Sequence, residues 1–493
     1  MLKVHDKKDF DLAAMELKNN RVLVIGLART GVATALFCAA RGARVTATES
    51  RPEAQVGGVA DKLRAAGVKL EFGGDGDSRI AEQDLIVPSP GVPADAPLLL
   101  AARKRNVAVW SEIELAYRFL HGMLIGITGS NGKTTTTSLI AHILELAKLP
   151  TLLAGNIGIP LISCVERTGP ETVTVAELSS FQLELVEKFR PRISVFLNLT
   201  SDHLDRHLTM DRYAAAKARI FENQTAEDFA VMNADDPATR PLAPSGAAVY
   251  WFSRTGGVQQ GSFVRGDQIV FCRDGEEEVL ARRQDITLVG EHNLENVLAA
   301  ATASRLAGAN AQAIAEGVRT FAGVEHRLEF VAEVGSVRYY NDSKATNVDA
   351  TLKALGAFPG RVLIILGGKD KGSDYTALRK PLHQKASVVL LIGAAAQKIE
   401  SQIAGRVRIE RAATLERAVE MAWHVAQPGD VVLLAPACAS FDQFENYEHR
   451  GRVFKELVRQ IEKRGAVTAS SNVVARGTAK ESAAAPRRAS KGS

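Results

Sequence analysis

Met123-Leu124-Ile125-Gly126-Ile127-Thr128-Gly129-Ser130-Asn131-Gly132-Lys133-Thr134-Thr135 is a short apolar run, then a glycine-rich loop, then the start of a helical stretch. A buried strand that turns through glycines into a helix is how a phosphate-binding loop is built. Glycine lets the backbone wrap closely around an anion, so that successive N–H groups and the positive end of the helix face it. Lys133 is placed to neutralise β- and γ-phosphates, and the Thr134 hydroxyl to ligate Mg²⁺. Gly129, Ser130, Asn131, Gly132 and Thr135 complete the cradle. The strict spacing asks for a glycine five places before Gly132, where this chain has Ile127; Gly126 and Gly129 supply flexibility nearby. ATP is the expected ligand, in preference to a glycine-rich turn that merely carries a surface lysine. A bare phosphate loop still leaves kinase, motor, GTPase and ligase open.

Around this loop, strand-like and helix-like segments alternate almost throughout, the pattern of parallel sheets with crossover helices. Arg21 to Gly26 is an apolar run ending in a glycine turn, and Ala43 to Glu49 and Asp84 to Val87 read as further strands. Val173 to Glu177 and Ser194 to Asn198 extend the sheet begun at Met123. Val362 to Leu366, Val388 to Ile392 and Val431 to Leu434 are nearly all apolar, as strands buried on both faces are. The fold class is therefore α/β in three domains. A Rossmann-like N-terminal domain is expected over residues 1–118, a central P-loop ATPase-like domain over 119–323 and a C-terminal Rossmann-like α/β domain over 324–464. Residues 465–493 are rich in Ala, Ser and Gly, lack aromatics, and read as a disordered basic tail.

The chain has 493 residues, 46% hydrophobic and 24% charged, the balance of a globular protein of several domains. No apolar stretch is long enough to span a bilayer, and the charged start Met1-Leu2-Lys3-Val4-His5-Asp6 leads into no signal core. A cytoplasmic location without membrane insertion is expected. Cys38, Cys164, Cys272 and Cys438 lie far apart with no CxxC pair, which fits reduced thiols rather than a disulfide framework or a zinc ribbon. The net charge of +5 suggests nucleic acid until it is located. The tail sets Arg476, Lys480, Arg487, Arg488 and Lys491 against Glu481 and so holds four of those five charges. Nucleic-acid binding is not expected.

Two patterns invite other chemistry. Gly26-Leu27-Ala28-Arg29-Thr30-Gly31, followed by Glu49, reads as a dinucleotide fingerprint whose second glycine is replaced. On those residues alone a nicotinamide-dependent oxidoreductase stays open. His203 and His207, four apart, could mimic a zinc pair on a helix, but no HExxH accompanies them and zinc is not expected.

The loop Thr128 to Thr134 resembles the P-loop of the Mur ligases and of their relative folylpolyglutamate synthase. Further matches follow in the family's order. They are Gly155-Asn156-Ile157-Gly158, Glu177 to Glu184, Asn198 to Asp205, Tyr213 to Lys217, Glu291 to Asn296, His326-Arg327 and Asn341 to Asn347, and the likeness covers roughly residues 20 to 460. Within the family, Gly26 to Gly31, Gly367-Gly368-Lys369-Asp370-Lys371 and Pro436 to Phe444 look like the branch that adds D-glutamate. The Asp-Asn-Pro-Arg motif of the diaminopimelate-adding branch is missing.

The resemblance implies an ATP-dependent ligase of peptidoglycan precursor synthesis, with UDP-N-acetylmuramoyl-L-alanine and D-glutamate as substrates and a monomeric state. A carboxylate carbon is a poor electrophile. Transfer of the γ-phosphoryl group gives an acyl phosphate, which the amine attacks; this is catalysis by positioning and charge neutralisation. By resemblance, Thr134 and Glu177 ligate one Mg²⁺, while His203 and Lys217, the latter carrying CO₂ as a carbamate, serve a second. Asn293 or Asn296 reads adenine, Arg327 meets the phosphates and Asp342 takes the ribose hydroxyls. Arg29, Thr30, Ser50, Arg51 and Ser89 surround the UDP-sugar diphosphate, with Asn156, Ser179 and Gln182 near the substrate. Lys344, Thr346, Lys371, Ser440 and Phe441 line the amino-acid pocket, where lysine charge and a hydroxyl suit a dicarboxylate. Another Mur-type or folylpolyglutamate-type ligase is the alternative of the same chemistry.

Overall fold

In the computed structural model, residues 17–73, 80, 82–405 and 407–481 are described. Their strands form three sheets. The first contains β1 (Arg21–Ile25), β2 (Arg44–Glu49), β3 (Lys69–Phe72), β4 (Leu85–Pro88) and β5 (Ala108–Val109), all parallel, in the order β3-β2-β1-β4-β5. The strand order reverses direction at β1, so the turn that leaves β1 opens onto the crevice where such sheets take ligands.

The second sheet contains β6 (Met123–Thr128), β7 (Thr151–Gly155), β8 (Val173–Glu177), β9 (Ile193–Phe196), β10 (Phe229–Asn233), β11 (Ala248–Ser253), β12 (Gly261–Arg265), β13 (Gln268–Arg273) and β14 (Glu276–Arg282). Its order is β14-β13-β12-β11-β10-β9-β6-β8-β7. β6 lies between β8 and β9, pairing Ile127 with Glu177 and Thr128 with Phe196. Everything that follows these three parallel strands therefore emerges side by side at their C-terminal ends. The third sheet contains β15 (Glu329–Val334), β16 (Val337–Asn341), β17 (Val362–Gly367), β18 (Ala386–Ile392), β19 (Arg408–Ala413) and β20 (Val431–Leu434), in the order β15-β16-β20-β17-β18-β19.

The expectation of parallel pairing fails at two sheet edges, where β12-β13-β14 and β15-β16 are antiparallel. The cause is turn chemistry. Asp274 and Gly275 link β13 to β14 with φ of 54° and 84°, and Gly335 and Ser336 link β15 to β16 with φ of 58° and 61°. Two consecutive left-handed residues make the tight turn whose twist matches a hairpin.

The first two sheets share one apolar core that runs from Val22 and Val24 through Trp110, Ile113 and Leu115 to Leu161, Phe189 and Phe196. In the third sheet the period of two is plain: Ile364 and Leu366 belong to one core, Leu363 and Ile365 to another on the opposite face. Packing divides the chain into two compact units, residues 1–288 with 292–322, and residues 289–291 with 323–493. The last helix runs Tyr447–Glu481. It carries helical backbone into the segment expected to be disordered, because each added residue of an existing helix costs little beyond its own ordering and alanine costs least. Residues 482–493 of that expected tail lie outside the described residues.

Candidate functional site

At the end of β6 the backbone turns through Gly129, with φ of 142°, and Gly132, with φ of 86°, into the helix Lys133–Leu146. A Cβ on Gly132 would lie 2.1 Å from Asn296 Oδ1, so glycine is needed for both conformation and space. The segment that follows β9 braces the loop. Ser130 N–H donates to the Asn198 carbonyl and Asn131 N–H to Asn198 Oδ1 at 2.8 Å. Ser130 Oγ donates to the Thr200 carbonyl and lies 3.3 Å from the Tyr213 hydroxyl. Lys133 Nζ curls back onto the carbonyls of Gly129 and Ser130, at 2.9 and 2.8 Å. Thr135 is buried behind the loop.

Glu177 ends β8, and the register sets it beside the loop. The Thr134 hydroxyl donates to Glu177 Oε2 at 2.7 Å, and Asn156, just after β7, donates through Nδ2 to Oε1 at 2.7 Å. A hydroxyl and a carboxylate oxygen converging at this distance form a hard-oxygen donor set of the kind Mg²⁺ takes. Asn296 receives a hydrogen bond from Thr136 and donates to Asn293 Oδ1 at 3.0 Å. Both of these expected adenine readers are buried, Asn296 against the loop and Asn293 against Asn296.

Lys217 lies on the helix Met210–Ala218 and is 1% exposed. Its Nζ donates to the Gly129 carbonyl at 2.8 Å and sits 4.6 Å from the centre of the Tyr213 ring. Burial, helped by the charge of Lys133, holds this amine well below the usual lysine range, against the pull of Asp202 and Glu177. His203 has φ of 54° and precedes the short helix Leu204–His207. Its ring meets Phe181 edge-on at 5.0 Å. His207 stacks on the same Phe181 and contacts Ser180 Oγ at 3.0 Å. The two histidines are thus spaced around one phenyl ring. Ser179 and Gln182 bond each other in a capping box for the helix Ser180–Leu183.

In the first sheet, the Gly26 turn is crowded. A Cβ there would meet Ser89 Cβ at 2.9 Å, and one on Gly31 would meet the Gly26 carbonyl at 1.9 Å. Arg29 and Thr30 begin the helix Arg29–Ala40. Glu49 accepts from Leu27 N–H at 2.9 Å, from Arg51 N–H and Nε at 3.1 Å, and from Arg51 Nη2 at 2.9 Å. Ser50 Oγ is 3.4 Å away. Arg51 above all holds this carboxyl down at about 2. In a dinucleotide site this carboxylate would bind ribose hydroxyls; here the chain's own donors occupy it.

In the second unit, the loops after β16, β20 and β17 emerge from neighbouring strands and carry Lys344, Thr346, Ser440, Phe441 and Lys371. Lys369 and Ala439 exchange backbone hydrogen bonds at 2.8 and 3.1 Å. Ser440 is buried, while Phe441 is 66% exposed and Lys371 is exposed. Lys344 Nζ lies 3.8 Å over the Tyr447 ring. The Asp342 carboxyl is pushed up to about 7 by loss of water around it, against the nearby Arg327 charge. Glu325, His326 and Glu329 bring possible metal-ligand atoms within 4.8 Å of one another. Lys455 donates to both carboxylates and His326 Nδ1 accepts from Asn341, so these groups already satisfy one another.

Sequence reasoning overlooked two arginines. Arg206 bridges the first two sheets and Arg450 is fully buried beneath the third sheet's loops; a basic residue near a histidine or on a polar helix reads as solvated surface. A helical spacing that turned Arg450 inward was the one available signal.

Three family models match: the Mur ligase MurD-like N-terminal domain over residues 20–111, the Mur ligase middle domain over 127–304 and the Mur ligase glutamate ligase domain over 326–438. The UDP-N-acetylmuramoylalanine–D-glutamate ligase of Koribacter versatilis is 53% identical over 450 residues, 91% of this chain and 99% of that one. The protein of the same name from Acidobacterium capsulatum is 52% identical over 90% of this chain and 97% of its own. Among solved structures, a pseudomurein peptide ligase type C from Methanothermus fervidus superposes with a TM-score of 0.57 at 20% identity, covering 90% of this chain and 100% of that one. UDP-N-acetylmuramate-alanine ligase MurC from Thermotoga maritima gives 0.56 at 18% identity, covering 90% and 100%. These two likenesses speak for the fold, and the sequence matches for the lineage: this chain belongs to the Mur ligase family.

Proposed function

We propose that this chain joins D-glutamate to the alanyl carboxylate of UDP-N-acetylmuramoyl-L-alanine, at the expense of ATP and through an acyl phosphate, in peptidoglycan precursor synthesis. The observation that carries the reading is the 53% identity to a D-glutamate ligase along 99% of that relative's length. The Gly129–Thr135 loop, braced by Asn198 and facing Glu177, supports the ATP part of it.

In this reading the domain limits are those near residues 118 and 323. Backbone N–H groups of the loop and Lys133 hold the phosphates. Thr134 and Glu177 hold one Mg²⁺; His203 and a carbamate on Lys217 hold a second. When bound, these ions neutralise charge on the transferring phosphoryl group. Asn156 keeps Glu177 oriented and meets the acceptor, with Ser179 and Gln182 behind it. Asn293 and Asn296 face adenine, Arg327 the phosphates and Asp342 the ribose. Arg29, Thr30, Ser50, Arg51 and Ser89 cradle the acceptor's diphosphate around Gly26. Lys344, Thr346, Lys371, Ser440 and Phe441 take D-glutamate. No helix among the described residues is long and apolar enough to cross a membrane, in keeping with polar, water-borne substrates.

Phosphate release is expected to require ATP, Mg²⁺, UDP-N-acetylmuramoyl-L-alanine and D-glutamate together. Equal turnover with L-lysine or diaminopimelate in place of D-glutamate overturns the assignment.

A further inference from the structure

Arg206 is three residues beyond His203, and its side chain is 16% exposed. Its guanidinium faces two ways. Nη1 donates to the Gly91 carbonyl at 3.2 Å and Nη2 to the Val92 carbonyl at 3.0 Å, both in the turn that follows β4. Nη2 also donates to Glu184 Oε2 at 2.8 Å, at the end of the helix Ser180–Leu183. The guanidinium carbon lies 5.0 Å from the Phe181 ring, the ring that His203 meets edge-on.

The turn it grips is the one that begins at Ser89. Ser89 N–H donates to the Ile25 carbonyl at 2.7 Å, Val92 N–H donates to the Ser89 carbonyl at 2.9 Å, and Ser89 Cβ is what crowds Gly26. One side chain thus joins the Gly26–Ser89 cradle of the first sheet to the His203 loop of the second. The contacts continue from His203 to Tyr213, with ring centres 6.3 Å apart, and from the Tyr213 hydroxyl to Ser130 of the phosphate loop. A planar fork with fixed donors suits this task; a lysine ammonium, a point charge on a flexible stem, cannot hold two carbonyls on one side and a carboxylate on the other.

We propose that Arg206 is a positioning residue that sets where the UDP-linked acceptor lies relative to the His203 loop, and hence how its carboxylate is presented to ATP. The proposal rests on the functional reading above, in which the Gly26–Ser89 turn holds the acceptor's diphosphate.

The test uses the whole enzyme, R206K, and the double variant E184Q/R206A, which removes the carboxylate charge that R206A alone would leave without its arginine. Acceptor affinity is measured by calorimetry with UDP-N-acetylmuramoyl-L-alanine, and KM for each of the three substrates by phosphate release. The expected result is about a tenfold weaker acceptor Kd and KM in both variants, with KM for ATP and D-glutamate within about twofold of wild type and Tm little changed in R206K. Unchanged acceptor Kd in both variants overturns the proposal, and so does a uniform loss across all three substrates with a fallen Tm, which marks a merely structural role. A wild type that binds the acceptor but does not use D-glutamate counts against the choice of amino acid alone. A wild type that does not bind the acceptor overturns both.

Discussion

Lys217 is an amine with almost no water around it, held between the Gly129 carbonyl and the Tyr213 ring. Removing water from a cation costs several kcal/mol and favours the neutral form. Lys133, which points into the same loop, adds repulsion. The shift is downward, so a larger fraction of the amine is neutral at neutral pH than for a lysine in water, and the neutral amine is the form that adds CO₂. The product has two oxygens and a negative charge, hard donors for a cation, where the amine offers a single nitrogen lone pair and its ammonium form none. Replacing Lys217 by Ala is therefore expected to abolish turnover, and acetate or another short carboxylic acid to restore part of it by occupying the vacated space. Assays of K217A across a range of acetate concentrations check this. Full activity of K217A without any added acid would remove the carboxylate role.

Three loops at one end of the third sheet illustrate how elements are set. Arg450, 0% exposed, donates from Nε to Ser343 Oγ at 2.9 Å and from Nη2 to the Ser343 carbonyl at 2.8 Å. It also reaches the Cys438 carbonyl through Nη1 at 3.2 Å, and a Cβ on Gly368 would lie 3.3 Å from Nη1. The loops carrying Lys344, Ser440 and Lys371 thus share one guanidinium, which burial pushes down to about 10. A hydrogen bond to a charged group is worth about 1.5–3 kcal/mol, and an abandoned buried carbonyl carries its own penalty. R450K is accordingly expected to lower Tm and to raise KM for D-glutamate at least about tenfold, while KM for UDP-N-acetylmuramoyl-L-alanine stays near wild type. Equal rises in both KM values would show general loosening instead. The strands of this sheet were legible beforehand, because Val362–Leu366 and Val431–Leu434 are apolar on both faces and only a buried strand tolerates that. So was the phosphate loop, whose glycines and Lys133 are local in sequence. The hairpins at the sheet edges were legible in principle, from Asp274-Gly275, but the alternating pattern around them masked the signal. Arg206 was not legible, and Arg450 only through the helical spacing that it shares with Phe454, Val458 and Ile461. Their partners lie far away in sequence, and charge alone reads as surface until the tertiary contacts are known.

Across the larger unit, the first two sheets act as one body because their cores are continuous, and the helix Glu112–Phe119 carries the chain from one to the other. Two acids on that helix face the second sheet's domain with different support. Glu114 Oε2 accepts the backbone N–H groups of Glu187, Lys188 and Phe189, and Arg118 Nε donates to its other oxygen at 2.7 Å. Glu112 accepts from Ile162 N–H at 2.6 Å and is 2% exposed. Burial outweighs the hydrogen bonds from Ile162 and Leu161 and pushes its carboxyl from 4.5 up to about 7. A carboxyl raised in the folded state binds its proton more tightly there than in the unfolded chain. Its contribution to stability is thus fully present below about 4.5 and is lost as pH rises towards about 7, on the order of a few kcal/mol in all. Glutamine keeps an acceptor for Ile162 N–H and cannot ionise. E112Q is therefore expected to melt higher than wild type at pH 8, with the difference shrinking as pH falls towards 5. The contrast with Glu49 fixes the sign: that carboxyl is held at about 2, so its stabilisation is present above about 4.5, through this whole range, and is lost as pH falls from there through about 2. Melting curves of both proteins between pH 5 and 8 decide the matter, and a Tm difference that does not change with pH would mean that Glu112 holds the junction together as an ion rather than as a neutral acid.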